Sequence, residues 1–240
     1  MSSPKRTIEV LQKYDFTSIP VVDSEGRLVG IITVDDIVDI LQQEATEDIE
    51  KMAAITPTDK PYMKTGVLET WKKRIPWLLI LMISATFTGR IISHYEAALA
   101  SYVVLTAFIP MLMDTGGNAG SQASVSIIRG LSLNEIDYSD TLKILLKELL
   151  VGILIGATLA VANFVKLLVI DRVTVTIAAV VCLTLIVTVV FAKLVGCSLP
   201  VLAKRLGFDP AVMASPFIST VVDAISLLVY FQIATAVLHI

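Results

Sequence analysis

The sequence predicts an α-helical membrane protein with a small α/β head at its N-terminus. Three observations carry this. Of 240 residues, 55 % are apolar and only 17 % charged, against about 25 % charged in an average soluble domain. The mean hydropathy is +0.78. The charge is uneven: of 19 basic and 22 acidic side chains, 23 fall in residues 1–75, which leaves a polar head and an apolar body. A net charge of -3 excludes a strongly basic nucleic-acid binder, so no nucleic-acid partner is expected. Two cysteines, Cys182 and Cys197, both in apolar surroundings, exclude a disulfide scaffold. The opening residues are polar and charged and do not read as a signal peptide.

The head comes first. An amphipathic helix is expected over about Thr7–Tyr14, then a strand over Ile19–Val22. Asp23-Ser24-Glu25-Gly26 is turn chemistry. A second strand follows over Leu28–Val34, and Asp35 is expected to cap a helix carrying Ile37, Val38, Ile40 and Leu41. Residues 35–59 then hold eight acids and one base, Lys51. Two readings stand. The acids form a solvated helix face, or they form a cation sensor, since clustered carboxylates repel and a divalent cation relieves them. On the second reading the sensing carboxylates are Asp36, Asp39, Glu44, Glu47, Asp48 and Glu50.

Five membrane spans of mainly apolar residues are expected: Trp77–Ile92, about Ala97–Met113, about Leu149–Ile170, about Val173–Leu202 and about Pro210–Leu238. The first two are short and draw on flanking residues. Nine Lys and Arg residues (Lys64, Lys72, Lys73, Arg74, Arg129, Lys143, Lys147, Lys204, Arg205) flank one side, and Arg90, Lys166 and Arg172 flank the other. The positive-inside bias therefore sets the N-terminus in the cytoplasm and, with an odd number of spans, the C-terminus outside. The expected location is the cell membrane, multi-pass, with the lipid bilayer as solvent.

After Pro110 the second span runs into "MDTGGNAGSQAS", where Gly116, Gly117 and Gly120 weaken a helix and Asn118, Ser121 and Gln122 add polarity. Either the helix ends in a cytoplasmic loop, or the backbone is irregular beside a water-filled cavity, with carbonyls free to bind hydrated cations.

In the fifth span Asp209-Pro210 is a helix start. Ser215, Ser219, Asp223, Ser226 and Tyr230 follow at spacings of 4, 4, 3 and 4, which is one helical face. Asp223 lies 13 residues past Pro210, roughly 20 Å deep. An acid at that depth costs about 2.5–3.5 kcal/mol. It is either a buried structural acid bonded to nearby hydroxyls or a group facing a cavity or an ion. Lys193, inside the fourth span, either snorkels to the interface or repels cations near a pore.

Four stretches resemble known families. "TSIPVVDSEGRLVGIITVDDIVDIL" resembles the C-terminal part of a CBS domain. That family often binds adenine nucleotides, with Thr33 and Asp36 at its Thr-x-x-Asp position; capping of the helix is the alternative role for the pair. The module is incomplete, so the chain is expected to be a truncated form of a longer protein, with the nucleotide site in doubt. "FIPMLMDTGGNAGSQASVSIIRGL" and "GFDPAVMASPFISTVVDAISLLVY" are similar to the MgtE family of magnesium channels, related to the SLC41 carriers, and "EATEDIEKMAAI" is similar to its connecting helix. The resemblance implies a partial CBS module over residues 1–41, a connecting helix and linker over 42–70 and a five-helix pore domain over 71–240.

It also implies a homodimeric pore with Mg²⁺ as permeant and regulatory ion. One carboxylate per chain makes a poor dication site, whereas two Asp223 residues on a two-fold axis supply a charge of -2. Mg²⁺ dehydrates reluctantly, which favours a wide site for the hydrated ion. By resemblance, Asp223 is the selecting acid, backbone carbonyls at Gly117 and Ser219 help hold the hydrated ion, and Asn118 joins them. Ser215, Ser121, Gly116, Ser226 and Asp209 line the pore or its gate. The family commonly has Asn where this chain has Ser215 and Ser121. It has a glycine-type position where this chain has Asp114, an acid that attracts cations, pairs with Arg129 or lies exposed at the interface.

The expected function is thus passive, gated Mg²⁺ flow, leakier than in a full-length relative. A coupled secondary carrier of divalent cations (Mg²⁺, Mn²⁺, Co²⁺) is the alternative. No enzyme is expected: there is no His-Glu-x-x-His motif and no second intramembrane aspartate to pair with Asp223. A pure nucleotide sensor or scaffold leaves the polar stripe of the fifth span without a purpose.

Overall fold

The computed structural model describes residues 10–11, 13–133, 135–213 and 215–239, apart from the side chains of Tyr138 and Ser215. The helix expected over Thr7–Tyr14 falls partly outside these; its described residues Val10, Leu11, Lys13 and Tyr14 are helical. Strands β1 (Ser18–Val22) and β2 (Leu28–Thr33) form an antiparallel hairpin, with Ile19 opposite Ile32 and an irregularity between Val21 and Val22. The turn is built as its residues dictate. Asp23 Oδ1 accepts from the backbone N–H groups of Glu25 and Arg27, both at 2.9 Å, and Gly26 takes a φ of 80°.

Helix α1 (Val34–Met52) starts two residues earlier than a cap at Asp35 would place it, with Thr33 as its cap. Asp36 Oδ2 accepts from the Thr33 N–H at 2.8 Å and from its hydroxyl at 2.7 Å. This reciprocal pairing satisfies the orphan groups of the first turn, which Asp35 at the first-turn surface would not do. Leu11 and Ile37 form the core of the head, with Ile19, Ile32 and Ile40 around them. Helix α1 runs unbroken through residues 41 and 42, so the head's last helix and the connecting helix are one rod.

The body is helical. Helices α2 (Val67–His94), α5 (Thr141–Val169) and α6 (Val175–Arg205), and the stretch Pro210–Leu238 that ends in α7 (Ser215–Leu238), are long and apolar enough to cross a membrane. The chain is therefore an α-helical, multi-pass membrane protein. Helix α6 is the central element and packs against α5, α7 and the glycine-rich helix α4 (Ile109–Ser132). Its core face includes Val180, Val181, Leu185 and Val189.

The second span departs from expectation. Ala97–Met113 is no single helix: a short helix α3 (Glu96–Ser101) leads into a 3₁₀ stretch over Val103–Phe108, and α4 then begins. The glycine-rich segment, expected as a loop or a broken helix, is continuous helix through Gly116, Gly117 and Gly120. Packing overrides propensity here. A Cβ on Gly116 would meet Thr188 Cγ2 at 2.8 Å and Val222 Cγ1 at 2.9 Å, and one on Gly120 would meet Ile218 Cγ2 at 2.9 Å. One on Gly196 would meet the backbone of Gly120. These glycines cost helix propensity but allow α4, α6 and α7 into backbone contact, as in other membrane bundles. The break lies upstream, where Tyr230 donates from its hydroxyl to the Leu105 carbonyl at 3.0 Å.

Lys193 does not snorkel. It is 4 % exposed, with Nζ 3.9 Å from Glu148 Oε2 on α5. Gly152, one turn after Glu148, lets α5 approach α6 closely: a Cβ there would meet Val190 Cα at 3.2 Å. Glu148 was hidden in the sequence among the flanking lysines at 143 and 147.

Candidate ion-binding cavity between α4 and α7

Helices α4 and α7 run antiparallel in contact. Gly116 faces Val222 and Ser226, Gly117 faces Ser219, and Gly120 faces Ile218 and Val222. Beside this seam lies a cavity of about 470 Å³ lined by Ile109, Pro110, Met113, Asp114, Gly117, Asn118, Ser219 and Asp223. It brings together Asp223, Ser219, Gly117 and Asn118. It leaves out the other residues named for the pore.

Gly116 is buried in the α4–α6–α7 seam and does not reach the cavity. Ser226 is fully buried and donates to the Val222 carbonyl at 2.7 Å. Tyr230 is fully buried under the 3₁₀ stretch. The stripe predicted on α7 is therefore covered in its second half, because residues 102–108 and Gly116 pack over it. Ser121 is half-buried on α4, one turn past Gly117, and outside the cavity. The side chain of Ser215 lies outside the described residues.

Asp209 sits at the foot of α7 rather than in the cavity. Its Oδ1 accepts from the Ala211 N–H at 2.9 Å, and its Oδ2 pairs with Lys51 of α1 at 2.6 Å. Met52 packs there against Ile128 and Ala211.

Asp114 corrects two expectations. It lies 15 residues before Arg129 on one continuous helix, about 22 Å at 1.5 Å per residue, which excludes a pair between them. It also lines the cavity that Asp223 lines, although no second aspartate was expected beside Asp223. The sequence reading missed a further signal. Asp114, Asn118, Gln122 and Ser126 recur every fourth residue and are all exposed along α4. This is a polar row along α4, legible as i, i+4 spacing once the segment is taken as helix.

The acids of the head divide. Glu44, Glu47 and Glu50 line a second cavity of about 300 Å³ with Asp59, Pro57 and Thr58. Glu50 accepts from the Thr58 N–H at 2.8 Å, and Glu47 pairs with Lys51 at 2.5 Å. Asp39 and Asp48 lie on α1 outside this cavity, and Asp36 is engaged with Thr33. Those two bonds from Thr33, first its N–H and then its hydroxyl, hold the Asp36 carboxyl below its ordinary range. Among the described residues no three His, Cys, Asp or Glu side chains converge closely enough to hold a bare metal ion.

Residues 109–233, which contain α4 to most of α7, match the family described as MgtE: Divalent cation transporter. Residues 2–43 match the CBS domain. The chain is 40 % identical to the magnesium transporter MgtE of Thermus thermophilus over 230 residues, 96 % of this chain and 51 % of that protein. It is 36 % identical to the Bacillus subtilis protein of that name, over the whole chain and 52 % of the relative. The Enterococcus faecalis protein is 33 % identical over 95 % of this chain and 49 % of its own length. The chain thus spans about half the length of the curated relatives it matches.

Proposed function

The chain belongs to the MgtE family of divalent cation transporters, and from that premise we propose that it passes Mg²⁺ across the cell membrane as a homodimeric, gated channel. One observation carries this reading: Asp223, half-buried in the middle of a membrane helix, opens on the α4–α7 cavity with no basic partner among the described residues. A carboxylate in that position needs a counter-charge.

The cavity's size suits a hydrated ion. Six waters at roughly 30 Å³ each occupy about 180 Å³, well within about 470 Å³. Asp223 supplies charge, Asn118 and Ser219 supply hydrogen bonds to the ion's waters, and Gly117 keeps side-chain bulk out. The uncovered polar row of α4 supports a second copy as the other wall, since polar side chains on a membrane helix face protein or water rather than lipid. Two copies then bring two Asp223 carboxylates to one path. Backbone carbonyls of Gly117 and Ser219, both in regular helix, complete the proposed site.

Gating is assigned to the head (1–41) acting through the connecting segment (42–70) on the membrane domain (71–240). Support comes from α1, a single rod whose end pairs with Asp209 at the foot of α7. The cavity holding Glu44, Glu47 and Glu50 adjoins that contact and is the proposed place where regulatory Mg²⁺ acts. Thr33 and Asp36 cap α1, so the geometry favours capping over adenine-nucleotide binding for this pair. The charge bias of the flanks supports a cytoplasmic head and an outer C-terminus.

The test is Mg²⁺ uptake into liposomes holding the purified chain, with Asp223→Asn and Asp223→Ala against the parent. Both variants should lose most of the uptake while keeping the parent's elution profile. Undiminished uptake in both rejects the assignment.

A further inference from the structure

We propose that Asp114 is a second carboxylate of the ion path and sets how strongly the cavity prefers divalent to monovalent cations. The inference rests on the reading of the cavity given above and deepens it.

Its position follows from the helix pairing. Gly116 opposes Val222 and Ser226, and Gly120 opposes Ile218 and Val222. The two helices therefore run antiparallel, and Asp114, half a turn before Gly116, lies toward the end where α4 begins and α7 finishes. Asp114 and Asp223 come from different helices, yet both line the same cavity, one on each wall. Asp114 is exposed in the single chain, at the head of the polar row that continues through Asn118.

Charge makes the pair selective. The two carboxylates line one cavity, and no basic side chain lies among its lining residues. Arg129, the base on the same helix, is too far along it. Two like charges facing one cavity repel each other. A monovalent cation cancels one of them and leaves the other uncompensated, whereas a divalent cation cancels both. The cavity has room for the ion with its water shell, so this preference does not require dehydration, which Mg²⁺ resists. Asn118, one turn from Asp114, offers donors and an acceptor to that shell. A second copy across the polar row would double the charge along the path.

The experiment uses the full chain in liposomes, with uptake of Mg²⁺ and of K⁺ measured side by side for the parent, Asp114→Asn, Asp114→Gly, Asp114→Glu and Asp223→Asn. Circular dichroism and elution profile verify that each variant is folded. Removing the charge by either Asp114→Asn or Asp114→Gly should raise the half-saturating Mg²⁺ about tenfold, the lower end of what a charge-lined cleft contributes to local ion concentration. The Mg²⁺-over-K⁺ preference should fall in step, and Asp114→Glu should retain both. The proposal is overturned if Asp114→Asn and Asp114→Gly match the parent in half-saturation and preference while Asp223→Asn loses uptake. If Asp223→Asn also transports like the parent, the reading of the cavity falls and this inference with it.

Discussion

Lys51 Nζ lies 2.6 Å from Asp209 Oδ2, an ion pair that joins the end of α1 to the foot of α7 across 158 residues of sequence. Glu47, one turn back on α1, reaches the same ammonium. Met52 beside it packs against Ile128 of α4 and Ala211 just before α7. The connecting helix is therefore fastened at one point to both helices that bound the cavity.

Lys51→Met should loosen this contact. The two side chains are 22 % and 38 % exposed, so solvent screening limits the pair to about 1 kcal/mol. The expected outcome is faster proteolysis of residues 53–66 in the variant, with little change in the membrane helices. Burial works against the charge on Lys51, but the bonds from Asp209 and Glu47 outweigh it and hold its pKa above the ordinary 10.5. A raised lysine pKa contributes stability that is complete below the unfolded value and is lost only as pH rises through the folded one. The Lys51 contact should thus hold constant from about pH 7 to 9 and weaken only in stronger alkali. Protease protection that disappears near neutral pH would contradict this.

The Glu148–Lys193 pair makes a sharper case, because it is buried between α5 and α6 and the Glu148 Oε2 atom has no hydrogen-bond partner. Removing either member leaves the other charge uncompensated, at a cost of about 3–5 kcal/mol. Replacing both removes the charges together and is often close to neutral. Thermal unfolding in detergent should rank Lys193→Met and Glu148→Gln well below the parent, with the double variant Glu148→Gln/Lys193→Met recovering most of the difference. Additive losses in the double variant would show that the two side chains do not depend on each other.

That pair also marks where sequence reading reached its limit. The hairpin of the head and four of the five expected apolar spans were legible because each rests on local chemistry: turn residues, hydropathy and spacing. Glu148 was not, since a partner 45 residues away in the chain leaves no local trace. Helix α4 failed for a related reason. Gly116, Gly117 and Gly120 lower local helix propensity, and what restores the helix is contact with Thr188, Val222, Ile218 and Gly196 on two other helices. The cavity's two acids sit on separate elements, so the sequence names Asp114 and Asp223 separately and leaves no trace that they share one cavity.

The glycine contacts give a third prediction. On propensity alone, alanine is favoured over glycine inside a helix by about 1 kcal/mol. At Gly89 nothing lies within 4 Å of a new Cβ, so Gly89→Ala should be neutral or stabilising. At Gly196 the new Cβ would strike the backbone of Gly120, which cannot rotate aside as a side chain can. Overpacking then costs about 1–3 kcal/mol or more and outweighs the propensity gain. Gly196→Ala should lower the unfolding temperature while Gly89→Ala does not. Equal behaviour of the two would mean that α4 and α6 are free to separate.

The last prediction concerns the break before α4. Where the chain leaves α3 and passes through the 3₁₀ stretch, its carbonyls lose helical partners, and in lipid each unsatisfied group is costly. The Leu105 carbonyl is met by the Tyr230 hydroxyl at 3.0 Å, with both residues fully buried. Tyr230→Phe keeps the ring, its contact with Phe231 and the local volume, and removes only that donor. The orphaned acceptor costs about 1–3 kcal/mol. Hydrogen exchange should then increase at residues 102–108 and at the start of α4, without matching change in α5. Because Asp114 lies just past this stretch, Tyr230→Phe should also weaken Mg²⁺ uptake modestly, by positioning rather than by charge: half-saturation shifts while the preference for Mg²⁺ over K⁺ is retained. A variant that lost the preference but kept its exchange pattern would show that Tyr230 acts on the ion path directly and not through the anchor it gives Leu105.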